Sequence, residues 1–231
     1  MRIGTLIVAW AGLMCCGLAP AAPDAVTLDG VLTHMDRAAQ AFQGMTATMK
    51  RLTHTAVIND DSEQSGILYM RRTHAHEVEG LWNVAPPDQK TYEFRHRTLR
   101  IYLPKIKTVQ IFDISKYGNQ VDQFTLLGFA TARAELEKDY TIRLLDHETV
   151  AGAGVAHLEL TPKSAEVLEN FKTIELWISD DNGYPVREKL NQNSGDYTIV
   201  TYSDLKLSPV PSEKELELNL PPGVEKTYPG K

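Results

Sequence analysis

The sequence predicts a mainly β (α+β) protein: about eleven antiparallel strands in one sheet, with three helices. Three observations carry this reading. Phe171 to Leu205 forms a three-strand meander, short alternating runs recur closely from Met45 to Asp113, and helical periodicity is confined to two stretches. In the meander, Ile174, Leu176 and Ile178 share one face, with Thr173, Glu175, Trp177 and Ser179 on the other. A period of two marks a half-buried strand. Asp180-Asp181-Asn182-Gly183 turns the chain, since Asn and Gly both tolerate positive φ. Pro185 to Leu190 returns with charge expected on its outer face, and Tyr197 to Tyr202 is rich in β-branched and aromatic residues.

The first helix is expected from Thr27, its N-cap, to Gly44, its C-cap. Leu28, Val31, Leu32, Met35, Ala38, Ala39 and Phe42 make one apolar stripe between them. Met45 to Ile58 reads as a long strand with a bulge, and Asn59 to Ser65 as a polar turn. Strands follow at Gly66 to Arg72, His76 to Val84, Lys90 to Arg95, Leu99 to Leu103 and Thr108 to Asp113. Helical spacing of Val121, Phe124, Leu127 and Leu136 predicts two short helices, 116–127 and 131–138. The sheet resumes at Tyr140 to Leu145 and Val155 to Thr161, and Leu216 to Leu220 is expected as its last strand. So many consecutive strands curl, and the helices then cover the concave side. On apolar parity, the concave lining is Leu68, Met70, Val78, Trp82, Tyr92, Phe94, Leu99, Ile101, Ile174, Leu176 and Ile178.

Residues 1–21 read as a cleaved secretory signal: Arg2, an apolar run from Ile3 to Leu18, then Ala19-Pro20-Ala21. An uncleaved anchor is the alternative. Cys15 and Cys16 lie inside this segment, preceded by Met14 rather than a small residue, which disfavours lipid attachment. Residues 22–231 then form one cysteine-free domain, with no disulfide and no thiol nucleophile. Losing Arg2 moves the formal charge from −6 to −7, which gives no footprint for nucleic acid.

Catalytic constellations are absent from the sequence: there is no Gly-x-Ser-x-Gly, no phosphate loop and no His-Glu-x-x-His. No enzyme activity, metal or cofactor is expected. His74 and His76 share a strand face but lack an accompanying carboxylate pattern, so they read as solvated edge residues. Arg72 stands out because it ends a strand whose same-face predecessors, Leu68 and Met70, are apolar. It must either snorkel to solvent or find several acceptors.

Five motifs, in order, resemble the outer-membrane lipoprotein carrier family (LolA-like, in the LolA/LolB superfamily). They are Gly66-x-Leu68-x-Met70-Arg71-Arg72, Arg97 to Pro104, Leu160 to Lys163, Ser194 to Tyr197, and Leu220 to Val224. Thr73 stands where the family has proline. The resemblance implies a half-open antiparallel β-barrel with a three-helix lid over a hydrophobic cavity. That cavity accepts the acyl chains of lipoproteins or a similar lipid in the periplasm. Arg72 falls at the family's lid gate, and Leu28, Val31, Leu32, Met35, Phe42, Phe124 and Leu127 fall on the lid. It further implies a monomeric transport chaperone with an inner-membrane donor complex and an outer-membrane acceptor. A periplasmic lipid or lipoprotein sensor built on the same half-barrel is the competing reading.

Overall fold

The computed structural model of the protein describes residues 26–74, 77–114, 127–150 and 152–229. The predicted signal, most of the predicted helix 116–127, Phe124 and His76 lie outside them. Helix α1 spans Leu28–Ala41, and β1 to β6 span Gly44–Thr55, Asp60–His74, Glu77–Val84, Lys90–Arg95, Thr98–Leu103 and Thr108–Asp113. Helix α2 (Arg133–Asp139) precedes β7 (Tyr140–Val150) and β8 (Ala153–Pro162), and a single turn, α3 (Ala165–Leu168), leads into the meander. The meander is β9 (Phe171–Ser179), β10 (Pro185–Gln192) and β11 (Tyr197–Lys206), and β12 (Glu225–Thr227) ends the sheet.

Among the described residues twelve strands join in the order β12-β6-β5-β4-β3-β2-β1-β11-β10-β9-β8-β7, an open sheet whose two ends do not meet. The first and last thirds of the chain therefore meet through β1 and β11, where the predicted bulge falls between Thr46 and Thr48. The half-open form is as expected, but the fully antiparallel arrangement is not. β12 runs parallel to β6 and adds the twelfth strand.

Three further expectations are corrected. Gly44 does not cap α1; Phe42 does, in an extended conformation. Gly44 starts β1 instead, where a Cβ would lie 2.6 Å from the Met70 carbonyl oxygen, so close pairing with β2 requires glycine. The polar run from Asp60 to Ser65 is strand, because Lys50 to Thr55 pairs with it residue by residue, adding ion pairs such as Lys50–Glu63 at 2.7 Å.

Leu216 to Leu220 is not a strand either. A short 3-10 turn over Glu213–Leu216, closed by a Ser212–Glu215 capping box, leads into extended chain lying on the convex face. Leu216 and Leu218 bury against Leu81 and Val109 there. The alternation reflects one-sided packing without ladder hydrogen bonds.

One buried acid ties this strap down. The Glu93 carboxylate, 1% exposed, pairs with the Arg100 guanidinium and accepts from the Leu218 amide at 2.9 Å. Glu93→Ala orphans both donors. The variant is expected to lose about 2–3 kcal/mol in urea denaturation, below the range for a fully buried pair because Arg100 is partly exposed.

Candidate functional site

The concave face begins with strand parity. Met45↔Met70 and Ala47↔Leu68 pair across β1 and β2, Leu68↔Trp82 across β2 and β3, and Trp82↔Tyr92 and Phe94↔Leu99 farther on. Every residue predicted for the lining has this parity, including Ile101 opposite Tyr92 and Ile174, Leu176 and Ile178 on β9. They do not form one uniform wall. Ile174, Leu176 and Ile178 are fully buried with Leu158 and Leu160 beneath Val31, Leu32 and Met35 of α1, with Leu28 packed alongside. Leu68, Met70, Val78 and Trp82 bury with Ala38 and Phe42, whereas Tyr92, Phe94, Leu99 and Ile101 stay half-buried. The cover is therefore tightest over β8 and β9 and loosens toward β4 and β5.

Thr27 caps α1 through its hydroxyl, which accepts from the Gly30 amide at 3.1 Å. The opposite end has no basic residue in its last turn and no glycine cap. Its final carbonyls need donors from elsewhere. Tyr184 donates to the Ala38 carbonyl at 2.8 Å, and Arg72 Nη2 to the Ala39 carbonyl at 3.0 Å. The same nitrogen reaches the Ala130 carbonyl at 3.2 Å, joining α1 to the turn 127–130. The guanidinium lies 5.8 Å from the Phe42 ring centroid. Below it, Phe129 contacts Phe42, Tyr184 and Tyr202 at centroid distances of 6.1, 5.8 and 5.0 Å. Arg72 thus binds acceptors on two covering segments rather than snorkelling. Leu127 buries beside α1.

Polar contacts hold the outside of this cover. The Arg133 amide donates to Asp36 at 2.9 Å, and its guanidinium pairs with Asp29 at 2.8 Å, fastening the start of α2 to α1. Gly183, at φ +74°, sits under α1 where a Cβ would be 3.0 Å from the His34 carbonyl oxygen. The Asn-Gly turn is both a hairpin and a seat for the helix.

Parity also exposes a misread residue. On β10, Arg187 and Lys189 face outward, but Glu188 pairs with Leu176 and Val200 on the concave side. It is 6% exposed. Burial pushes its carboxyl up to about 8, partly opposed by the facing Tyr202 hydroxyl, so it is mostly protonated at neutral pH. Tyr184 had no such signal, because a turn tyrosine says nothing of the helix above it.

No metal-binding group of three or more His, Cys, Asp or Glu is present among the described residues, and His74 is exposed beside Glu77. Nor is any helix there long and apolar enough to cross a membrane. A polar pocket of about 200 Å³ lies on the convex side, lined by Arg71, His74, Glu79, Arg95, His96 and Glu213 among others.

The sequence matches no protein-family model, and no curated protein matches it. Solved structures do. MucB aligns with a TM-score of 0.51 and 15% identity, over 83% of this chain and 62% of its own. A conserved uncharacterised protein from Thermus thermophilus aligns at 0.53 and 12%, over 87% and 98%. The fold is the one shared with MucB and the Thermus protein. It is the half-open, helix-covered sheet that the resemblance implied, and these two structures share its course. The chain spans 62% of the matched MucB chain. A LolA superfamily protein from Nitrosomonas europaea aligns at 0.38 and 17%, over 81% and 96%.

The Glu188 carboxyl has a calculable effect on stability. Its folded value lies above the ordinary carboxylate value of 4.5, so the folded state holds the extra proton between pH 4.5 and about 8. Stability falls as pH rises through this window. Glu188→Gln should raise the melting temperature at pH 8.5 by about 2–4 °C or more, equivalent to at least ~1 kcal/mol. The gain should shrink toward zero below pH 5.

Proposed function

We propose that this protein is a non-catalytic periplasmic carrier that takes the acyl chains of lipoproteins, or a similar lipid, under its lid. It would receive them at the inner membrane and pass them toward an outer-membrane acceptor. The observation that carries this reading is the Arg72 clasp, one guanidinium nitrogen shared by two carbonyls of the segments covering an apolar concave face.

Burying one methylene contributes about 0.8 kcal/mol, so enclosing an acyl chain of roughly sixteen carbons would contribute about 12 kcal/mol. Two such chains exceed the practical ceiling of about 18–21 kcal/mol for noncovalent affinity. A carrier that must release its cargo needs an opposing cost. Opening the cover breaks the Arg72 bonds, each contributing about 1.5–3 kcal/mol, and lifts α1 from Ile174, Leu176 and Ile178. Closure then competes with cargo, and transfer requires no chemistry in this chain.

The second reading is a sensor. It is favoured by the similarity to MucB, which has also been solved in complex with MucA. A sensor would bind lipid and a partner protein without handing the lipid on.

Arg72→Leu should fold and still bind an acylated peptide, detected by displacement of an apolar fluorescent dye. Transfer of that peptide to acceptor vesicles should drop at least tenfold, with Arg72→Lys intermediate. Equal transfer by all three proteins removes the clasp from the mechanism. Binding without transfer by the wild type favours the sensor.

A further inference from the structure

A second arginine lies on the concave face. Arg51 shares the parity of Met45, Ala47 and Met49 on β1 and pairs with Gln64 across β2. Gln64 and Arg72 are on the same strand, about 27 Å apart at ~3.4 Å per residue, so the two arginines mark opposite ends of the face. Arg72 spends its Nη2 on two carbonyls. Arg51 is half-buried and has no carboxylate partner among the described residues; its Nη2 donates to Gln64 Oε1 at 2.5 Å and to the Tyr92 hydroxyl at 3.1 Å. By contrast, its sequence neighbour Lys50 is paired with Glu63 on the convex side.

The guanidinium lies over two rings, 4.7 Å from the Trp82 centroid and 5.3 Å from that of Tyr92, which stack on each other at 5.2 Å. Lys90 Nζ lies 6.0 Å from the Tyr92 ring. Trp82 Nε1 is buried and has no acceptor. The nearby acid Asp88 sits 3.4 Å from Gln64 Nε2. Across the sheet, Glu188 occupies the same row two strands away and is mostly neutral at pH 7. Ring faces satisfy a cation only in part. A half-buried guanidinium without a counter-anion, beside an unused donor, favours an anionic acceptor.

We propose that Arg51, with Trp82 and Tyr92, is the seat for the anionic head group, phosphate or carboxylate, of an acyl ligand whose chain runs toward the lid. This rests on the carrier reading. Tyr92, Phe94, Leu99 and Ile101, the half-buried part of the lining, give the chain its path beside the seat.

The test uses the mature protein with a bound apolar fluorescent dye, displaced by 1-palmitoyl-lysophosphatidylglycerol, by the uncharged 1-monopalmitoylglycerol, or by inorganic phosphate. At low salt the wild type is expected to bind the anionic lysolipid at least tenfold more tightly than the neutral one, and added salt should reduce the preference. Arg51→Gln should abolish it while leaving neutral-lipid affinity unchanged, which also shows that the variant is folded. Arg51→Lys should retain part of it. Inorganic phosphate should not displace the dye at millimolar concentration, because the chain supplies most of the binding. Equal affinities in the wild type, or a preference that survives Arg51→Gln, overturn the seat while leaving the carrier reading intact. Phosphate that binds as tightly as the lysolipid overturns the head-group assignment. If neither lipid displaces the dye, the carrier reading fails, and the seat with it.

Discussion

The unsatisfied carbonyls at the end of α1 constrain the rest of the structure. A helix that stops without a glycine cap or a basic last turn leaves acceptors that must find donors. Here they are Tyr184, from the first turn of the meander, and Arg72, from the end of β2. These two donors come from opposite halves of the sheet, so α1 can be satisfied at this end only where both halves curve toward it. The helix position, the aromatic cluster below and the turn at 127–130 are thereby coupled through a few hydrogen bonds.

The two sides of the sheet handle charge differently. On the convex side, acids and bases are paired, as in Glu93 with Arg100 and Glu79 with Arg95, and the C-terminal strap uses both arrangements for anchorage. On the concave side, three charged residues have distinct solutions. Arg72 takes backbone carbonyls, Glu188 keeps its proton, and Arg51 lies on aromatic faces. A charge on an apolar surface is costly unless it is neutralised or hydrogen-bonded, and these are three different ways of meeting that cost.

Much of this was legible in the sequence. The meander was readable because Ile174, Leu176 and Ile178 alternate cleanly between strong turn signals, and α1 because its stripe is continuous. Arg72 stood out by interrupting an apolar parity. The same test would have found Glu188, between Val186 and Leu190, and Arg51, after Met49; both were lost in surroundings rich in polar residues. Asp60 to Ser65 could not be read as strand, because its stability comes from the partner strand rather than its own composition. Leu216 to Leu220 misled for the opposite reason. Its alternation records contact with one surface, and alternation alone does not reveal whether a neighbouring backbone supplies hydrogen bonds. Tyr184 depends on where α1 ends in space, which no local pattern encodes.

The short parallel strand β12 makes the two margins of the sheet unequal. It covers Thr108 to Gln110 of β6 and presents a margin only three residues long, whereas β7 presents eleven. Exposed strand margins are templates for joining other chains. Growth of an extended multichain sheet needs a competent margin on both sides of every copy. With only one long margin, pairing through β7 stops at two copies, and Arg143, Asp146, His147 and Glu148 along that strand add charge to discourage even this. The C-terminal strand therefore leaves the sheet, among the described residues, with one long margin rather than two.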